Sequence, residues 1–133
     1  LYLATSTNVH LWDDAAELYR PQRPWELLQI GNCGSPIEID EGWLVITHGV
    51  GSIRSYCLGA CLLDKDDPSK VLARSTEPLV RPDCRTRDGF VPNVAYSCGG
   101  LVFDRTLLLP YGVADSFTAF ESFSLDDLLR GLS

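Results

Sequence analysis

Two side chains in this 133-residue chain stand where a ligand-binding group would stand. His48 closes the apolar run Trp43 to Thr47 and precedes Gly49. An imidazole at a strand end can hydrogen-bond an anion or a sugar, and a histidine satisfied inside the core would read the same way. Asp115 follows Gly112-Val113-Ala114, where a carboxylate either accepts from sugar hydroxyls or caps its turn. Gly31-Asn32-Cys33-Gly34-Ser35-Pro36 reads as a glycine-rich loop that can bring backbone N–H groups to an anion. It has neither P-loop nor dinucleotide spacing, and a plain turn is the more common explanation. Arg81, Arg85 and Arg87 flank Pro82-Asp83 and suit an anionic group or a solvated loop. Trp12, Trp25 and Trp43 are stacking candidates, with Trp43 inside a strand reading as core. His10 is given no role. No Ser/His/Asp triad can be assigned, no metal-ligand cluster stands out, and spacing alone selects no pair of carboxylates for glycoside cleavage.

The elements that must position these residues are mostly strands. Runs rich in β-formers cover Trp43 to His48, Tyr56 to Leu63, Val71 to Arg74, Val91 to Tyr96, Gly100 to Phe103, Leu107 to Tyr111 and Phe117 to Phe123. Turn residues separate them, as in Gly49-Val50-Gly51-Ser52 and Asp66-Asp67-Pro68. One helix is predicted at the end, capped by Ser124, with Asp126 and Asp127 in its first turn and Gly131 closing it. The chain also repeats itself. Trp43-Leu44-Val45-Ile46-Thr47-His48-Gly49-Val50 matches Thr106-Leu107-Leu108-Leu109-Pro110-Tyr111-Gly112-Val113, so that Tyr111 is the counterpart of His48 at a spacing of 63 residues. A period near 60 with about four short strands per unit predicts propeller blades, chance likeness of two Leu/Val-rich hairpins being the alternative. The organisation expected is the end of a preceding blade over 1–12, a blade over 28–76, and a further blade with the terminal helix over 91–133.

Composition narrows the function classes. Net charge is −7, with Lys plus Arg 11 against Asp plus Glu 18, so the surface repels phosphate backbones and no nucleic-acid partner is expected. No apolar run reaches the ~18–20 residues that span a bilayer, and no membrane partner is expected. The five cysteines, Cys33, Cys57, Cys61, Cys84 and Cys98, contain no C-x-x-C pair and read as reduced thiols of a cytoplasmic protein. The absence of methionine and the incomplete repeat lead to the expectation of a portion of a longer chain, about two and a half blades.

Taken together, Trp25-Glu26, the stretch Ile30 to Ile37, and Gly42 to Val50 with its His-Gly-Val resemble glycoside hydrolase family 130, the β-mannoside phosphorylases and related β-mannosidases. Tyr56 to Asp64, Asp67-Pro68-Ser69-Lys70-Val71, Val91-Pro92-Asn93-Val94 and Tyr111-Gly112-Val113-Ala114-Asp115 fit the same pattern, as does Ser6 to Trp12 with Asn8 in the acidic position. The likeness runs in order over nearly the whole chain.

The resemblance implies an all-β fold, part of a five-bladed β-propeller with its site at the central channel. It implies inverting cleavage of a β-mannoside or mannooligosaccharide, by phosphorolysis or hydrolysis, with no cofactor and with inorganic phosphate as co-substrate in the phosphorylases. A homo-oligomer is compatible with it. A sugar-binding or interaction module without turnover is the alternative. The family's general-acid Asp lies in its N-terminal half and has no counterpart here, so no catalytic residue is assigned and these 133 residues alone are expected to be inactive. His48 matches the phosphate-binding histidine and Asp115 the aspartate that faces the mannosyl unit, with Tyr56 a further candidate for substrate binding. The family's phosphate-binding lysine falls at Gln29, an amide that can hydrogen-bond phosphate but not neutralise it. Arg54, just beyond His-Gly-Val, is the candidate to restore the charge.

Overall fold

The chain runs as a series of antiparallel hairpins, described by a computed structural model over residues 1–82 and 89–133. Asp83, Cys84, Arg85 and Arg87 lie outside the described residues. A first hairpin joins β1 (Tyr2–Thr5) to β2 (Asp14–Glu17). The next sheet holds β3 (Gln29–Asn32), β4 (Ile37–Ile39), β5 (Gly42–Val50), β6 (Tyr56–Leu63) and β7 (Val71–Arg74). The last sheet holds β8 (Ala95–Tyr96), β9 (Leu101–Phe103), β10 (Thr106–Val113) and β11 (Phe117–Ser124), followed by α1 (Leu125–Arg130).

The two larger sheets follow one plan. β3 and β4 share a single place beside β5, pairing with Thr47 to Val50 and with Gly42 to Leu44 respectively, while residues 33–36 step out between them. β8 and β9 share the equivalent place beside β10, with residues 97–100 stepping out. These two excursions touch. A Cβ on Gly34, whose φ is +75°, would lie 2.0 Å from the Cys98 carbonyl oxygen, so the backbones cross at a point that only glycine permits. The turns after β5 and β10 also correspond. Ile53 and Arg54 have φ of 55° and 53°, and Ala114 and Asp115 have φ of 50° and 51°. Ser55 N–H donates to the Ser52 carbonyl at 3.3 Å, and Ser116 N–H to the Val113 carbonyl at 3.0 Å. Two consecutive left-handed residues closed by such a bond match the twist of a hairpin.

Burial follows strand alternation. Leu44, Ile46, Leu58, Ala60 and Leu62 on one face of the middle sheet pack with Ala95, Leu107 and Leu109 of the last sheet and with Leu125 and Leu128 of α1. Val45, Cys61 and Leu63 on the other face pack with Leu1, Leu18 and Tyr19 beside the first hairpin. A sheet covered on both faces explains why β5 and β6 read as unbroken apolar runs. At the edge, the Trp25 ring lies across Gly49 and Gly59, where a Cβ would fall 2.5 Å and 2.6 Å from ring carbons, and its indole N–H donates to the Thr76 carbonyl at 3.1 Å. Next to it, buried Glu26 pairs with Arg74, which lies 4.1 Å over the Tyr19 ring. Glu26 also accepts the backbone N–H groups of Gln22 at 2.9 Å and Arg23 at 3.1 Å, fixing the approach of the chain to β3.

The C-terminal helix forms as expected, with Ser124 accepting from the Asp127 N–H at 3.3 Å and Gly131 closing it. Three local features differ from what the sequence announces. Asp14–Glu17, over which no strand is expected, pairs with β1, all four residues being exposed and without apolar alternation. Gly31 and Asn32 belong to strand β3 rather than to a loop. The strand expected over Val91 to Tyr96 shrinks to Ala95–Tyr96, because Pro92 lacks an N–H and Asn93 takes φ +64°. Among the described residues no helix is long and apolar enough to cross a membrane.

Candidate functional site

His48 is the third residue from the end of β5, opposite Gly31 on β3 and Leu58 on β6. Directly opposed residues of an antiparallel pair share a face, so Gln29, Gly31, His48, Val50, Tyr56 and Leu58 all lie on the face turned towards the last sheet. The imidazole fills the room left by Gly31: a Cβ there would lie 2.5 Å from His48 Cε1 and 3.0 Å from Nε2. Two tyrosines flank the ring. Tyr56 stacks on it with centroids 6.3 Å apart and planes 19° apart, and Tyr96 of β8 stands 5.1 Å away at 55°. Tyr56 is held by its N–H, which donates to the Asn93 carbonyl at 2.9 Å. Cys33 Sγ lies 3.6 Å from His48 Nδ1.

Burial sets the charge state of this cluster. His48 is only 7% exposed, and loss of water pushes its pKa below the ordinary imidazole value, partly opposed by the Asn32 carbonyl. At neutral pH the ring is uncharged and has one N–H to donate. Burial pushes the Cys33 thiol up to about 11, so the sulfur keeps its proton. Tyr96 is partly exposed, and the partial loss of water raises its pKa above the ordinary phenol value.

The other sequence candidates stand apart from this cluster to different degrees. Gln29 is exposed at the start of β3, on the same face as His48 and two residues from its partner Gly31. Arg54 and Asp115 are exposed at equivalent positions of the two corresponding turns, one in each sheet, beyond the strand end that carries His48. Neither side chain makes a hydrogen bond or ion pair with another described residue, and no described contact joins either to His48. Tyr111 holds the same strand position as His48, but its hydroxyl donates to Glu121 at 3.1 Å. Arg81 pairs with Glu77 in the solvent. Among the described residues no group of three His, Cys, Asp or Glu side chains could hold a metal ion.

Two members of the cluster were not singled out from sequence. Tyr96 comes from the neighbouring sheet, and nothing in the spacing of 48 and 96 joins them. Cys33 was legible only as a loop residue. A usable signal existed, because Cys33-Gly34 and Cys98-Gly99 are the same dipeptide at corresponding places in the two repeats.

Comparison with known proteins places the chain. A family model described as beta-1,4-mannooligosaccharide phosphorylase, glycoside hydrolase 130, matches residues 1–132. A 1,2-beta-oligomannan phosphorylase of Thermoanaerobacter sp. (strain X514) is 36% identical over 130 residues, covering 96% of this chain and 44% of that protein. A beta-1,4-mannooligosaccharide phosphorylase of Ruminococcus albus is 34% identical, covering 97% of this chain and 40% of that protein. The structure of a beta-1,2-mannobiose phosphorylase from Listeria innocua, solved with beta-1,2-mannobiose, superposes with a TM-score of 0.88 at 32% identity, covering 98% of this chain and 37% of that one. The chain therefore spans less than half the length of these relatives, and its sheets form part of a five-bladed β-propeller.

Proposed function

Since the chain belongs to glycoside hydrolase family 130, we propose that it supplies part of a cytoplasmic β-propeller enzyme that phosphorolyses β-mannosides. In this reading a phosphate oxygen attacks the anomeric carbon, the bond from that carbon to the glycosidic oxygen breaks, and the departing oxygen takes a proton from a general acid contributed by a segment other than this chain. His48 donates its single N–H to phosphate at the rim between the two sheets. Gln29 adds an amide donor on the same face. Tyr56 and Asp115 face the mannosyl unit, with Asp115 accepting from its hydroxyls.

The observation that carries this reading is the His48 imidazole, buried and uncharged, held between Tyr56 and Tyr96 with Gln29 on its face. The similarity of the chain to three phosphorylases supports it. The same observation favours hydrolysis as a second reading. Among the described residues on this face there is no charged side chain, and a dianion bound by neutral donors alone is bound weakly. Arg54 restores a charge when its guanidinium reaches the phosphate.

The experiment is to incubate the enzyme containing this chain with β-mannooligosaccharides, with and without millimolar phosphate. Mannose 1-phosphate as the main product, at a rate that rises across the millimolar phosphate range, supports phosphorolysis with weak phosphate affinity. Free mannose at a rate indifferent to phosphate moves the assignment to hydrolysis. No product from any β-mannoside, with sugar binding retained, points to a binding module.

A further inference from the structure

We propose that Cys33 is a positioning residue whose thiol donates to His48 Nδ1 and so holds the imidazole as the tautomer that carries its proton on Nε2. The inference rests on the reading of His48 as an anion-binding residue and adds the group that decides which ring nitrogen faces the anion.

Three observations converge on it. Sγ lies 3.6 Å from Nδ1, within reach for a sulfur hydrogen bond, and both residues are almost fully enclosed, at 1% and 7% exposure, so water does not compete for either atom. The sulfur is fixed by its own backbone: Cys33 N–H donates to the Ile46 carbonyl at 2.7 Å, and the excursion that follows is locked where Gly34 crosses Cys98. The ring has little freedom to turn away, being set over Gly31 and flanked by Tyr56 and Tyr96.

The contact admits two directions according to the ring tautomer, and the proposal assigns the one in which the thiol donates. A buried thiol keeps its hydrogen, while a neutral imidazole has one bare nitrogen and one N–H. With S–H directed at Nδ1, the ring proton sits on Nε2, and Nε2–H can donate to an anionic oxygen. The reverse tautomer would present a lone pair to the anion. Ring tautomers are commonly set by the partner on the other nitrogen, and removing that partner weakens what the ring binds.

The test compares Cys33→Ala and Cys33→Ser with the parent enzyme at one neutral pH, reading the ¹⁵N shifts of the His48 ring and the phosphate KM. Cys33→Ala is expected to mix the two tautomers and to raise the phosphate KM about 3- to 10-fold, the range of one lost hydrogen bond. Cys33→Ser, whose hydroxyl can also donate, is expected to return most of the Nε2–H signature and of the affinity. A cysteine that merely fills space predicts a different pattern: lower stability in both variants with His48 shifts unchanged, and that result overturns the proposal. Where Cys33→Ala alters the ring shifts but His48→Ala leaves phosphate kinetics unchanged, the positioning role stands and the phosphate role of His48 fails. Where Cys33→Ala folds poorly, Cys33→Val takes its place, and an undisturbed tautomer in that variant overturns the proposal.

Discussion

Gly31 and His48 face each other across β3 and β5, and the imidazole occupies the volume that any side chain at position 31 would need. The Cβ of an alanine there would fall 2.5 Å from Cε1, closer than non-bonded carbons approach. Gly31→Ala is therefore expected to push the ring off Tyr56 and to lower stability by about 1–3 kcal/mol, as overpacking does. A urea midpoint and His48 ring shifts that both match the parent would show the site more plastic than this contact implies.

The buried, uncharged state of His48 makes stability depend on pH. The folded-state pKa is depressed, so below the ordinary imidazole value of about 6.5 the unfolded chain binds a proton that the folded chain does not. Stability is then expected to fall as pH drops below about 6.5, until the folded-state pKa is passed. His48→Asn should flatten the profile in that window, and denaturant unfolding at intervals between pH 7 and 5 measures it.

Charge at position 29 should govern phosphate affinity. Gln29 lies on the His48 face, and a lysine in its place adds one charge-assisted hydrogen bond, worth about 1.5–3 kcal/mol or roughly 10- to 150-fold. Gln29→Lys is expected to lower the phosphate KM by up to that factor. An unchanged KM would mean that Arg54 or another cation already neutralises the anion.

Glu26 and Arg74 form an ion pair almost closed to solvent, with the carboxylate also accepting two backbone N–H groups. Removing one member leaves the other buried without its counter-charge, so Glu26→Ala should cost about 3–5 kcal/mol. Replacing both by apolar residues should cost less than the single change. Chemical denaturation of the two variants side by side separates these outcomes.

Ile53 is β-branched, 79% exposed and held at φ 55°, a conformation that disfavours branched side chains. Ile53→Gly gives up little packing and relieves about 1 kcal/mol of backbone strain, so it is expected to raise stability by that order. A loss instead would show that the exposed side chain packs on a segment outside this chain.

How much of this was legible in the sequence depended on how local each cause was. Strands β5 and β6 announce themselves as apolar runs because their sheet is covered on both faces, β10 is an apolar run whose burial alternates, and α1 carries its own cap and dipole partners. The repeat that pairs His48 with Tyr111 is likewise written in order along the chain, as is the family likeness. Strand β2 and the strand character of Gly31-Asn32 were not legible, because an exposed edge strand has no apolar periodicity and a glycine looks the same whether it turns the chain or makes room for a ring. The cluster around His48 was decided by tertiary structure alone. Tyr96 is 48 residues away in another sheet, and Cys33 reaches Nδ1 because its excursion is pinned against the Cys98 excursion of the next repeat. The charge of His48 was decided there too. An imidazole's intrinsic pKa belongs to its residue type, but the loss of water that lowers it comes from the packing of two sheets together.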